Sequence, residues 1–538
     1  MRNLHYLFLL FLLPTLSIGQ GKFDYTVSEP FRVIDARYKT YASKKGQTLA
    51  IKKDGKDIYM QHFDAVKMKE IQRKKISDLP KGYVIENISW FKDKLYCYYS
   101  LWDKKNTTEQ LFVREIDFEN CQFKAKEKRI VAVKGKLTGA PMFSMGFGGF
   151  SFRVESTPKF DFLYSKDKSK LLVQYRRKPE KKRDAINHDI IGMFVFNNDL
   201  EKLSGSDIEM PYTEKKMDNI DYSVDAEGNA YILAKVRPDG SDKNTKKDKK
   251  DKAPNYHIEL FKVAPKTKKI KITKIQLKDK FINGIWLFES DKKEMLCAGY
   301  YNKNNYATAD GIFVFKLDKE GGINDKIFHE IPVEILNQYT TSRTQKKNEK
   351  KEKKGKAEFS SLVMDKLVIQ KDGSIILMGE QYYVVVTYDS KGRARYTYHY
   401  NDILVSKISP DGKLAWMRKL PKRQTGGRGQ GSLSYKHMSM GGNHYFVFLD
   451  NIKNLDLGLD ERPARHMDGL GGFFTAYKVP DGNGKVSKVS IFDTKDVKDG
   501  LKIYQFSVDR ILEVSSDEFI MEAYKKGKED VMIKVKVK

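Results

Sequence analysis

Residues 362–380 read LVMDKLVIQKDGSIILMGE, and residues 401–424 read NDILVSKISPDGKLAWMRKLPKRQ. Each stretch holds two apolar runs around a short polar turn: Lys371-Asp372-Gly373 in the first, Pro410-Asp411-Gly412 in the second. The Asp-Gly pair supplies the positive-φ residue a tight hairpin needs, and the flanking alternation gives each strand a buried face. The stretch predicts four antiparallel strands, two hairpins joined by a polar insertion at 381–400.

The same pair of hairpins recurs along the chain. First hairpins include ENISWFKDKLYCYYSLW (86–102), FDFLYSKDKSKLLVQYRR (160–177), IDYSVDAEGNAYILAKVR (220–237) and NGIWLFESDKKEMLCAGYY (283–301). Second hairpins follow as QLFVREIDFENCQFKA (110–125), IGMFVFNNDLEKLSG (191–205) and FFTAYKVPDGNGKVSKVSIF (473–492). Six complete units run from about residue 82 to 493, with incomplete material at each end. Serial four-stranded antiparallel units are the sequence signature of a β-propeller. The last unit has only DVMIKVKVK where its second hairpin belongs. One N-terminal strand is expected to complete that sheet, closing the ring and removing an exposed edge. The expectation is an all-β chain forming a single propeller over 20–538, with eight blades, or seven if the terminal pieces merge.

The segments DGSIILMG (372–379) and NDILVSKISPDGKLAW (401–416) resemble the two halves of the secreted β-propeller repeats. The consensus of those repeats is roughly D-x-x-G-N-x-Y-V-T-G … D-A-F-V-x-K-x-D-x-x-G-x-x-x-W. DAEGNAYILAK (225–235) and DGIFVFKLDKEG (310–321) match it in part. The resemblance implies the fold and secretion. Those repeats share no single function, so it implies no activity.

Lys and Arg number 100 against 71 Asp and Glu in 538 residues, a formal charge of +29. Such a surface favours anionic partners. Residues 1–19 have the pattern of a secretory signal: Arg2, an apolar run from Tyr6 to Leu13, then Ser17-Ile18-Gly19 as small residues before a cleavage point. No later stretch approaches the ~18 consecutive apolar residues of a spanning helix. The expected location is therefore exported: periplasmic, outer-surface or secreted. Export permits disulfides, yet only Cys97, Cys121 and Cys297 occur. Cys97 and Cys121 fall on one predicted hairpin turning near Asn106, with Cys97 opposite Asp117 or Phe118. That register leaves the sulfurs too far apart to bond, so buried free thiols are expected.

In a four-stranded meander, the turns between strands 1–2 and 3–4 lie on one face of the disc, and the 2–3 loops and blade linkers on the other. The insertions at 132–159, 176–189, 237–255, 301–310, 337–360, 381–400, 421–431 and 451–470 all belong to the second face. Long loops on a rigid scaffold are where binding residues concentrate, so this face is the expected working surface.

Two basic segments on it are candidates for anion recognition by arginine forks: Arg176, Arg177, Lys178, Lys182 and Arg183, and Lys422, Arg423 and Arg428. Phe143, Phe147 and Phe150, in GAPMFSMGFGGFS, are candidates for contact with a partner. The mixed-charge runs at 241–253 and 343–358 read as disordered loops. The expected partner is an envelope protein or an anionic glycan. Export and the lack of any recognised module count against nucleic acid.

Catalytic motifs are thin. No HExxH or comparable metal-ligand spacing occurs, and no GxSxG elbow with an α/β domain to hold a triad. No metal, cofactor or catalytic residue is expected. The alternative, a propeller enzyme acting on an acidic polysaccharide, has His437, His466 and Asp468 as its candidates, with Asp456, Asp460 and Glu461 nearby. Trp416 reads as a core aromatic, although SPDGKLAW distantly resembles a sialidase Asp-box.

Overall fold

A computed structural model describes residues 23–537 except 37, 65, 139–157, 180–183, 242–253, 265, 266, 268, 276, 278, 279, 291, 304–307, 319–321 and 428–430. Eight antiparallel sheets follow one another around a ring, and the chain is a β-propeller. Seven blades are contiguous in sequence: 38–76, 84–134, 161–213, 217–275, 281–330, 362–420 and 436–493. The eighth combines Ile511–Glu513, Glu518–Lys526 and Glu529–Lys536 with the N-terminal strand Asp24–Val27. Asp24 pairs with Lys536 and Val27 with Ile533, so the expected closure is present. The N-terminal material is fuller than its irregular pattern suggests. Residues 38–76 alone make a complete blade, which brings the count to eight.

The innermost strands of successive blades meet around the axis, and apolar side chains from facing sheets fill the wedges between blades. Leu49, Ile51 and Ile58 of the first blade pack with Cys97, Tyr99 and Phe123 of the second. Met438 and Phe474 of the seventh pack with Phe506 and Phe519 beside the closing sheet. All three cysteines are buried and free. Cys97 pairs with Arg114 rather than Asp117 or Phe118, because the ladder runs from Leu95–Ile116 to Asp103–Thr108 around the turn at 104–107. Trp416 is buried, its indole N–H donating to Asp481 O at 2.9 Å.

Among the described residues the turns between strands 1–2 and 3–4 are short, and the longer connections are 2–3 loops and blade linkers. Two of them differ from expectation. Residues 381–400 are not a loop: the second and third strands of the sixth blade continue through them as Ile375–Tyr388 and Ala394–Ile408. The alternation of YYVVVTY and RYTYHY keeps the ladder going until the turn at 389–393. The lower part of this hairpin arm gains a further strand, Gln424–Gly426, which in turn pairs parallel with His466–Met467. Residues 343–358, expected to be disordered, are mostly the helix Ser342–Glu352. Its Lys, Glu, Gln and Arg residues are good helix formers and Thr341 caps its first turn, although it buries no side chain. Among the described residues no helix is long and apolar enough to cross a membrane.

Candidate functional site

The base of the hairpin arm is where the decorated face becomes a site. At and just before the short strand Gln424–Gly426, Lys422 and Gln424 are buried and Arg423 is half-buried. The buried pair is locked. Lys422 Nζ lies 2.5 Å from Glu380 and donates to Tyr400 O at 2.9 Å and Gln424 Oε1 at 3.1 Å. Gln424 Nε2 donates to Leu449 O at 2.8 Å, and Ser434 Oγ to Glu380 at 2.8 Å. This buried network fixes the strand from which Arg423 projects.

The insertion 451–472 folds back over the same strand. Asn454 donates to Asp450 at 2.7 Å and Ala464 O at 2.9 Å, Asn451 donates to Arg465 O at 2.8 Å, and His466 N donates to Arg423 O at 2.9 Å. Arg462 and Arg465 are thereby brought beside Arg423, whose own guanidinium donates to Pro463 O at 3.3 Å. Burial and then its two arginine neighbours push the Arg423 pKa down. No carboxylate among the described residues forms an ion pair with any of the three. Neighbouring guanidinium groups repel one another, and a bound anion would relieve that repulsion; the carboxylates of Glu358 and Asp402 line the same cleft but pair with Lys351 and Lys419.

The arm supplies the wall beside them. Tyr383 stacks on His399, centroids 4.4 Å apart and planes at 11°. Burial, then Arg465 and Arg423, depress the His399 pKa. Arg423 and Arg462 line a cleft of about 380 Å³ with Thr341, Gln381 and Asn401. Asn401 is buried, and its side-chain oxygen has no hydrogen-bond partner. The arginine donors and the aromatic platform make a surface suited to an anionic group, whereas the Asn401 oxygen can only accept, from a donor such as a hydroxyl.

Of the residues expected to bind anions, Arg423 alone lies in this cluster. Lys422 is a correction: it is 1% exposed and committed to Glu380, because the linker pairs onto the arm and turns the side chain inward. Arg176 and Arg177 are corrected likewise. Arg176 pairs with Asp189 at 2.7 Å and Glu214 at 3.3 Å, and Arg177 with Asp207 at 2.6 Å, since strand pairing carries the blade through 176. Lys178 is exposed on the same face. Lys182, Arg183 and Arg428, and Phe143, Phe147 and Phe150, lie outside the described residues.

His437 stands apart from the other two, whereas Asp468 lies near enough to His466 to oppose the lowering of its pKa by burial. His437 faces His444 at 3.1 Å, which reaches Asp481 in a short turn, whereas Asp468 accepts from Ser432 Oγ at 2.6 Å on the decorated face. Arg462, Arg465 and His399 escape sequence reasoning. The two arginines are remote from His399 along the chain, and only the fold-back of 451–472 joins them.

No family model matches this chain, and no curated protein sequence is similar to it. Among solved structures it is similar to a polysaccharide lyase, Uly1, at TM-score 0.37 and 8% identity over 93% of this chain and 90% of that one. It is similar to the Dos1 propeller at TM-score 0.36 and 10% identity, over 95% and 94%. A protein of unknown function from Bacteroides caccae matches at TM-score 0.27 and 10% identity, over 70% and 94%. Likenesses this remote carry no activity over to this chain.

Proposed function

We propose that this chain is an exported, non-enzymatic binding propeller that takes anionic groups of a glycan, carboxylate or sulfate, on its long-loop face. The observation that carries the reading is the cluster of Arg423, Arg462 and Arg465 without a carboxylate partner among the described residues. The Tyr383–His399 stack gives a sugar ring a flat surface beside those charges. A chain at +29 adds long-range attraction, which sets the rate of encounter more than the specificity.

The test is retention on a sulfated or polyuronate resin across a salt gradient. Replacing Arg423, Arg462 and Arg465 with Ser should move elution to much lower salt. Replacing Lys94, Lys292 and Lys485, exposed on the short-turn face, removes the same charge and should move it little. Equal shifts in the two triple variants would mean that net charge alone does the binding, and would end the site proposal.

A further inference from the structure

Two opposite hydrogen-bonding demands meet in the cleft at the base of the arm. The guanidinium groups of Arg423 and Arg462 can only donate, and the side-chain oxygen of Asn401 can only accept. Asn401 is 7% exposed, and that oxygen has no hydrogen-bond partner. Its amide nitrogen turns to the Tyr383 hydroxyl, 3.5 Å away, which leaves the oxygen for an occupant of the cleft. A buried acceptor without a donor carries a desolvation cost that a donating ligand removes.

The neighbours of Asn401 fix where it stands. Tyr400 pairs with Gln424 across the ladder, and Asp402 Oδ1 accepts from Lys422 N at 3.1 Å. Asn401 is held between these contacts, beside the strand that carries Arg423. Tyr383 joins the parts: it stacks on His399, receives the Asn401 amide and lies within electrostatic range of Arg423.

The other charged groups of the cleft are committed. Lys419 Nζ donates to Leu336 O at 3.2 Å and Gln338 O at 2.8 Å, and pairs with Asp402 at 3.3 Å. Glu358 accepts from Thr308 Oγ1 at 2.8 Å and pairs with Lys351 at 3.6 Å. Among the described lining residues, that leaves two guanidinium groups without a counter-charge and one buried acceptor without a donor. At about 380 Å³ the cleft falls within the ~300–1,000 Å³ of small-molecule sites.

We infer that the occupant is a uronosyl residue of a glycan, its carboxylate on Arg423 and Arg462 and a hydroxyl of the same ring donating to Asn401 Oδ1. The inference rests on the anion-binding reading above and narrows it. The two demands together select the sugar acid. An ionised sulfate has no hydrogen to give, and a glycan charged by sulfation loses one hydroxyl for every ester. A uronosyl residue carries its charge at C6 and keeps each ring hydroxyl that is not in a linkage. A neutral sugar satisfies Asn401 but leaves the arginines unmatched. The carboxylate also suits the planar fork of a guanidinium.

Calorimetric titration of the full chain with trigalacturonate, a fully sulfated trisaccharide and a tri-aspartate peptide tests this. Asn401→Ala should weaken trigalacturonate about tenfold, the effect of one lost hydrogen bond. The sulfated probe has no hydroxyl to give, so its affinity should change less than about twofold, which also shows that the variant is folded. Tri-aspartate, equal in charge to the sugar acid, should bind more weakly than it does. The double variant Arg423→Ser, Arg462→Ser should lose both sugars.

An Asn401→Ala chain that holds trigalacturonate unchanged overturns the uronosyl inference and leaves the anion site standing. Equal weakening of both sugars by Asn401→Ala, or tri-aspartate bound as tightly as trigalacturonate, overturns the inference too. If the double arginine variant keeps its hold on both sugars, or the parent binds neither, the anion site itself falls and this inference with it.

Discussion

Lys52, on the second strand of the first blade, and Glu522, on the middle strand of the closing blade, form an ion pair in which neither side chain is exposed. Lys39 reaches the same carboxylate at 3.2 Å, and Arg510 lies 3.9 Å away. The joint where the ring closes is therefore bonded electrostatically as well as by the strand ladder. Burial raises the Glu522 pKa, but Lys52, Lys39 and Arg510 outweigh it and hold the carboxyl at about 2.

Removing one partner leaves a buried charge, so Lys52→Met should destabilise the fold by about 3 kcal/mol. Lys39 and Arg510 keep the loss from being larger. The double variant Lys52→Met, Glu522→Met should recover most of it. Urea denaturation of the three proteins decides the matter; a single variant as stable as the parent would show that the pair contributes nothing.

Stability should fall as pH rises from about 4.5 to about 7. Burial holds the Glu86 carboxyl up at about 7, against the donations from Ser100 Oγ, Lys159 N and Phe160 N. Within that window the folded chain keeps a proton that the unfolded chain has lost, so folding weakens as pH rises, by up to about 3 kcal/mol from this group. Asp221, raised to about 7 by burial, acts in the same direction. Glu86→Gln should flatten the dependence measured by denaturation at several pH values. An unchanged slope would remove Glu86 from the account.

Anion binding should strengthen as pH falls. Burial and the arginines depress the His399 pKa in the free chain, and a bound anion would lift it. Binding then takes up a proton between the two values, so affinity should rise about fivefold from pH about 7 to about 5. His399→Gln should keep most of the affinity at neutral pH and lose the dependence. Titration of the His399 ring by NMR, with and without ligand, reads the shift directly.

Gly299→Ala should be strongly destabilising. A bulge at 282–284 in the fifth blade turns the Gly284 carbonyl onto the next strand, and a Cβ at 299 would sit 1.9 Å from that oxygen. Backbone must move to admit it, at a cost of about 2–3 kcal/mol or more. A drop in melting temperature of several degrees is expected, and an unaltered one would refute the contact.

The blades were legible because their turns are written in local chemistry. Gly373 and Gly412 adopt φ of +85° and +84°, as the Asp-Gly turns require. Three features depended on something else. The arm was obscured by the charged turn DSKGRAR, which reads as a loop although the strands on either side continue to alternate. The helix at 342–352 has no apolar stripe, so its propensity was hidden beneath its charge. The arginine cluster depends on a non-local parallel pairing, Gln424 with His466, for which no short-range signal exists. Lys422 and Arg423 are adjacent in sequence and opposite in role because Glu380, Tyr400 O and Gln424 hold Lys422 inside.

The closing ladder has a mechanical consequence. Asp24 lies opposite Lys536, and Val27 opposite Ile533, so the chain leaves the pair at the same end from both strands. Tension applied between residues 24 and 536 would load these hydrogen bonds one after another, as in a zipper, rather than all together in shear. The ring is thus sealed against thermal opening by many contacts at once, yet its seam peels under a small directed force. A sequence fused at either side of that seam emerges at one corner of the disc, and any pull it transmits is felt there first.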